Sequence, residues 1–248
     1  MGVISAGDYF FPHLLVEFAS CHRNVTLNFT VHNRAGLLTH IADNLTDLAI
    51  MVRPPNHLDT RHQPFAPHPY VIVAAPGHSL VAAKNIILTT LMREQFMVRE
   101  KGSDTWHSMV EGFGGHLGDI RIAMEIPSTE TIKQAVIAGM GVSFLSAYTI
   151  SRELKAGSLR VLDVRRFPLA LQWYVVHCRI KRLPPVAQAF KDFLLSDGGA
   201  LISKVMPLDP SIWWSRPACP TAFWHGISST RSGVQLQRAK RQGAGTQS

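Results

Sequence analysis

The sequence predicts an α/β fold of two lobes, and three observations carry the prediction. Apolar runs of strand length alternate with helical stripes from residue 2 to about residue 195. The order strand, helix, strand, helix, strand opens the chain, and a second such set follows it. Two β-rich runs, residues 70–75 and 173–177, are placed to connect the sets.

The first strand is short, residues 2–5 at most, and Phe10, Leu14, Leu15 and Phe18 follow at helical spacing. Residues 25–31 alternate apolar and polar side chains, the mark of a half-buried strand. Leu37, Leu38, Ile41 and Leu45 make the next helical stripe. Residues 47–52 are continuously apolar after Asp47, as in a parallel strand covered on both faces. In the second set, residues 70–75, 96–99, 120–126 and 142–145 read as strands, with Ile122, Met124 and Ile126 alternating in the third. Residues 104–113, 129–139 and 147–156 read as helices. Gly139, Gly141 and Gly157 supply stops. Residues 186–195 form a last amphipathic helix with Val186, Phe190, Phe193 and Leu194 inward. We therefore expect a body over residues 1–202, with lobe I over about 1–72 and 174–200 and lobe II over about 74–172. Residues 203–248 are Pro-, Ser- and Gly-rich despite Trp213, Trp214, Phe223 and Trp224, and are expected to be a disordered tail.

Composition narrows the function. With 46% hydrophobic residues among 248, a buried core is assured. No eighteen-residue apolar stretch occurs, so no membrane span is expected, and the start lacks the basic region of a secretory signal. Cys21, Cys178 and Cys219 are odd in number and without CxxC spacing, which fits reduced thiols in a cytoplasmic protein. The net charge of +8 divides unevenly: residues 1–202 carry +3 and residues 203–248 carry +5. A nearly balanced body is a poor electrostatic match for DNA.

Catalytic and metal motifs fail on context. The glycine run from Gly112 to Gly118 follows a helix and precedes a strand, the reverse of a dinucleotide loop. Ser143 lies inside a strand, not on a GxSxG elbow. His57, His62 and His68 lie on an extended segment and read as surface histidines. No paired carboxylates share a loop suited to acid–base chemistry.

Strand ends tell more. Ser5, Asn33, Arg53, Arg99, Ser103, Thr105, Ser128, Thr129 and Glu130 all fall in loops that follow a strand or open a helix. Hydroxyls and amides there are N-caps first. Collectively they describe a cleft beyond the carboxyl ends of strands, where helix N-termini favour anions. Arg53 follows a buried strand and is the expected main contact for a phosphate or carboxylate, with Arg99 next.

Four phrases carry a family resemblance: ADNLTDLAIMVRPP (42–55), FMVREKGSDT (96–105), ETIKQAVIAGMGVSFLS (130–146) and WYVVHCRIKRLPPVAQAFKDFL (173–194). Over residues 3–196 the chain resembles the effector-binding domain of LysR-type transcriptional regulators, and is most similar to the CbbR branch, which controls carbon-fixation operons. The resemblance implies a periplasmic-binding-protein-like fold of two Rossmann-like lobes with a small effector between them. It also implies that Ser5, Asn33, Arg53, Ser128 and Thr129 face the cleft. Where the family usually has Arg after a GSGT-like loop, this chain has Trp106 after Gly102-Ser103-Asp104-Thr105.

The expectation is thus a ligand-sensing and dimerisation domain. It would act without catalysis, cofactor or metal, and would bind a small phosphorylated metabolite. It would assemble as a homodimer or tetramer and reach operator DNA only through an N-terminal winged helix-turn-helix absent from this chain. A transporter's solute-binding protein and an enzyme on a Rossmann-like scaffold are the alternatives, the first needing export and the second a cleft nucleophile or base.

Overall fold

The computed structural model describes residues 1–207, so the tail from residue 208, with Cys219 and the four aromatic residues named above, lies outside the described residues. The first set of elements comprises β1 (Gly2–Ile4), α1 (Phe11–Cys21), β2 (Thr30–His32), α2 (Arg34–Ala42) and β3 (Ala49–Met51). A long strand β4 (Thr60–Ala74) leads to α3 (Leu88–Leu91), β5 (Gln95–Val98), α4 (Asp104–Gly112), β6 (Arg121–Glu125), α5 (Thr129–Ile137) and β7 (Val142–Ser146). The chain closes with α6 (Ser151–Ala156), β8 (Arg160–Val161), β9 (Leu169–Cys178), α7 (Pro185–Phe193) and α8 (Gly199–Val205).

The strands form one mixed sheet in the order β2-β1-β3-β9-β4-β7-β5-β6, with β8 beside β4. Parallel pairing joins β2, β1 and β3 in one trio and β7, β5 and β6 in the other. The antiparallel pair β4 and β9 connects them. Residues 60–70 of β4 lie against β9, and residues 70–74 lie against β7. This is the periplasmic-binding-protein-like α/β architecture. It places the carboxyl ends of β1, β3 and β5 where their loops meet.

Several elements depart from expectation. Only Thr30–His32 of the alternating segment 25–31 joins the sheet; Val25, Leu27 and Phe29 pack on the core from irregular chain. The edge strand β6 exposes Ile122 and Met124, so their alternation did not mark an inward face. Strand β4 begins ten residues before the run at 70–75, even though Pro64, Pro67 and Pro69 would ordinarily argue against a strand. The register explains how it tolerates them. Pro64, Pro67 and Pro69 oppose Tyr174, Gln172 and Ala170, alternate residues of β9, because a bulge between Pro64 and Ala66 restores the phase. Their missing N–H groups therefore all face the edge of β4 that has no partner until β7 joins at Tyr70.

Aromatic packing holds the first trio. Phe11 and Phe18 of α1 meet Phe190 of α7 edge-on, at 5.9 and 4.9 Å between ring centres. The helical path then continues through a π-turn (Leu194–Gly198) into α8. That turn brings glycines against β4, where a Cβ on Gly199 would sit 2.8 Å from the Phe65 carbonyl oxygen. Helix α5 ends in a Schellman turn, with Gly139 at φ 85° donating to Val136 and Met140 donating to Ala135.

Candidate functional site

Arg99, the residue after β5, is the centre of the site. It is only 4% exposed. Its Nη1 donates to Thr129 Oγ1 at 2.8 Å and to Ser5 Oγ at 3.3 Å, and Nη2 reaches the same Ser5 oxygen at 3.4 Å. Nε and Nη2 also make a two-pronged contact with the Glu100 carboxylate, at 2.8 and 3.0 Å. One guanidinium thus joins the end of β1 to the first turn of α5. Beside it lies a cavity of about 820 Å³ whose wall includes Ser5, Asp8, Tyr9, Arg99, Ser128, Thr129, Glu130, Lys133, Arg152, Lys155, Val205 and Met206.

The local sequence puts these groups there for plain reasons. Ser128 is the N-cap of α5 and accepts from Thr131 N at 3.2 Å, which leaves Thr129 free to face Arg99. Lys133 stands one turn beyond Thr129 and Glu130 on the same helix face. Its Nζ donates to Thr149 O at 3.0 Å and pairs with Glu153 and Glu130, each at 2.7 Å. The Tyr9 hydroxyl donates to Glu130, and the Tyr9 ring lies 5.1 Å from Lys133 Nζ. Burial raises the Tyr9 hydroxyl's pKa, and Glu130 adds to the effect. Burial pulls the Glu130 carboxyl upward, but hydrogen bonds from Lys133 and Tyr9 outweigh it and keep the pKa below the ordinary value.

Five of the nine expected residues line this cavity: Ser5, Arg99, Ser128, Thr129 and Glu130. Arg53, expected to be the main charged contact, does not. It follows β3 as anticipated, but its guanidinium is held by Glu111 in an ion pair and lies 3.4 Å from Ser108 Oγ. Asn33 caps α2, accepting from Gly36 N at 2.9 Å, and Ser103 caps α4, accepting from Trp106 N at 3.1 Å. Thr105 is buried in the first turn of α4. Around them Asp104 forms a second knot, accepting from Arg34 Nη1 at 3.1 Å and from Val52 N at 3.3 Å, while Arg34 also donates to the Arg53 carbonyl. Burial drives the Asp104 carboxyl up, opposed by Arg34.

Sequence reasoning missed Tyr9 and Lys133. Lys133 carried a usable signal, because it lies at i+4 from Thr129. Tyr9 carried none, since its partner Glu130 lies 121 residues away in sequence. The histidine reading needs one correction. His68 is not on the surface but fully buried among Tyr70, Tyr148 and Trp173, its ring 4.4 Å from that of Trp173. His57 and His62 line a separate cavity of about 480 Å³ with Asp59, which is paired with Arg179 at 2.5 Å. Among the described residues no group of His, Cys, Asp or Glu is arranged to hold a metal ion. Nor is any described helix long and apolar enough to cross a membrane.

A mixed sheet of two parallel trios, with cationic and hydroxyl side chains converging at their strand ends, defines a ligand-binding domain of the periplasmic-binding-protein type. A model of the LysR substrate binding domain matches residues 1–198, and the chain belongs to that family. It is 40% identical to the HTH-type transcriptional regulator CbbR of Sinorhizobium medicae, over 84% of this chain and 67% of the relative. It is 43% identical to the regulator CfxR of Cupriavidus necator, over 79% and 62% of the two chains. The activator CmpR of Synechocystis sp. is 38% identical over 81% and 66%. The chain therefore spans roughly two thirds or less of these relatives' length. The regulatory domain of Synechocystis PCC6803 CcmR, solved in complex with 2-PG, superposes with a TM-score of 0.75 at 36% identity, over 79% of this chain and 94% of that one.

Proposed function

We propose that this chain is the effector-sensing part of a LysR-type regulator of carbon-fixation genes, and that it binds a small phosphorylated acid beside Arg99 without altering it. One observation carries the reading: a buried guanidinium, flanked by the hydroxyls of Ser5 and Thr129, addresses a cavity of about 820 Å³. Arginine's planar fork suits phosphate oxygens, and an entering phosphate would take over N–H groups that Glu100 and the two hydroxyls now hold. The 2-PG bound to the structural relative supports the same ligand class. Ser5, Arg99, Ser128 and Thr129 form the anion-binding shell in this reading. Arg53, Asn33, Ser103 and Thr105 support the surrounding loops. Operator DNA is contacted through a winged helix-turn-helix that is not among residues 1–248, in a cytoplasmic homodimer or tetramer.

Thermal unfolding of the full chain with 2-phosphoglycolate and with glycolate tests this. A ligand at about a hundred times its Kd adds roughly 2.7 kcal/mol, which for a domain of this size raises Tm by roughly 5–10 °C. We expect that shift from the phosphorylated acid only. It should be lost in Arg99→Met and reduced in Thr129→Val, each compared with its own ligand-free Tm. Equal shifts from both acids, or an undiminished shift in Arg99→Met, would contradict the reading.

A further inference from the structure

We propose that Glu130 is a built-in stand-in for a second acidic group of the ligand. The cavity then selects a molecule with two acidic ends, one held by Arg99 and the other by Lys133 and Tyr9. The proposal rests on the reading above that an acidic effector enters this cavity.

The donors of Lys133 are fully used. Its side chain is 3% exposed, and its ammonium has three N–H groups. Thr149 O, Glu153 and Glu130 occupy all three. An incoming acid must therefore replace one of them. Thr149 contributes backbone, and the Glu153 side chain is 15% exposed. All three partners line the cavity, but Glu130 is 61% exposed, so its side chain swings into water at the least cost.

The Tyr9 hydroxyl points the same way, because its partner is also Glu130. An ammonium and a phenol converging on one exposed carboxylate hold it where a ligand acid would sit. Glu130 keeps both donors satisfied while the cavity is empty: Glu153 already balances the Lys133 charge, but a buried N–H or O–H left without an acceptor is destabilising. Thr129 and Glu130 are neighbours on the first turn of α5, so that turn addresses both ends of the ligand. A monoacid fills the Arg99 end and leaves Glu130 in place. A diacid displaces it and gains the second contact.

Calorimetric titration of the full chain tests this with 2-phosphoglycolate, which carries a phosphate and a carboxylate, against ethyl phosphate, which carries the phosphate alone. The wild type should prefer the diacid by about tenfold, the scale of one charge-assisted contact. Glu130→Gln removes the competitor and should tighten 2-phosphoglycolate by about tenfold, leaving ethyl phosphate within about twofold. The pair Lys133→Met with Glu153→Gln removes the cation with its buried counter-ion and should erase the preference. Weaker binding of the diacid to Glu130→Gln would overturn the proposal, as would a preference that survives in the double variant. If the double variant does not fold, Glu130→Gln decides alone. Should neither compound bind the wild type, the cavity reading itself fails, and this proposal with it.

Discussion

Arg53 and Arg99 stand at comparable strand ends, and their neighbours separate them. Both are ion-paired, Arg53 with Glu111 of α4 and Arg99 with its chain neighbour Glu100, but Arg99 also holds the hydroxyls of Ser5 and Thr129 and stands on the cavity wall, which Arg53 does not. A one-dimensional reading finds both cations but not the carboxylate that folding brings to one of them. His68 shows the same limit. Three histidines on an extended segment looked alike, yet the β4 register turns His68 inward beside Tyr70 and Trp173, where burial pushes its pKa down to about 3. The unfolded chain then binds a proton that the folded chain refuses between about pH 6.5 and pH 3. Stability from this group is complete above pH 6.5 and is lost as pH falls, by about 1.4 kcal/mol per unit at most. Urea unfolding from pH 6.5 to 4.5 should show a shallower pH slope in His68→Phe than in the wild type. Parallel slopes would mean that His68 is already charged in the folded state.

At the scale of elements, helices were more legible than strands. The stripes of α1 and α7 and the glycine stop of α5 name their own positions, because a buried face recurs every three to four residues. Strand β4 hid its first ten residues behind three prolines, whose fit depends on a bulge and on an edge without a partner. Caps were legible as such. Asn33, Ser103 and Ser128 each accept a backbone N–H one turn on, so their position at helix starts did not by itself mark a binding site. Helix α7 gives a sharp prediction, since Phe190 is fully buried between Phe11 and Phe18. Phe190→Ala should cost about 3–5 kcal/mol, because the cavity it leaves cannot be filled by rings already in contact. A loss in urea unfolding below about 1 kcal/mol would show that α7 is dispensable to the core.

Over the whole molecule, polar contacts tie the two parallel trios at their strand ends, beside the apolar contact of Phe10 with Tyr148. Arg99 links the end of β1 to α5, Tyr9 reaches Glu130, and Asp104 holds Arg34 and Val52 N. Each contact joins groups distant in sequence, and two of them line the cavity. A ligand that replaced such contacts would act on the relation between the trios. If Arg99 holds the ligand's phosphate, a crystal structure of the full chain grown with 2-phosphoglycolate will show it there. Phosphate oxygens should lie about 2.7–3.2 Å from the Arg99 guanidinium and the Thr129 hydroxyl. A phosphate bound against Arg53, with the cavity beside Arg99 holding only water, would contradict that placement.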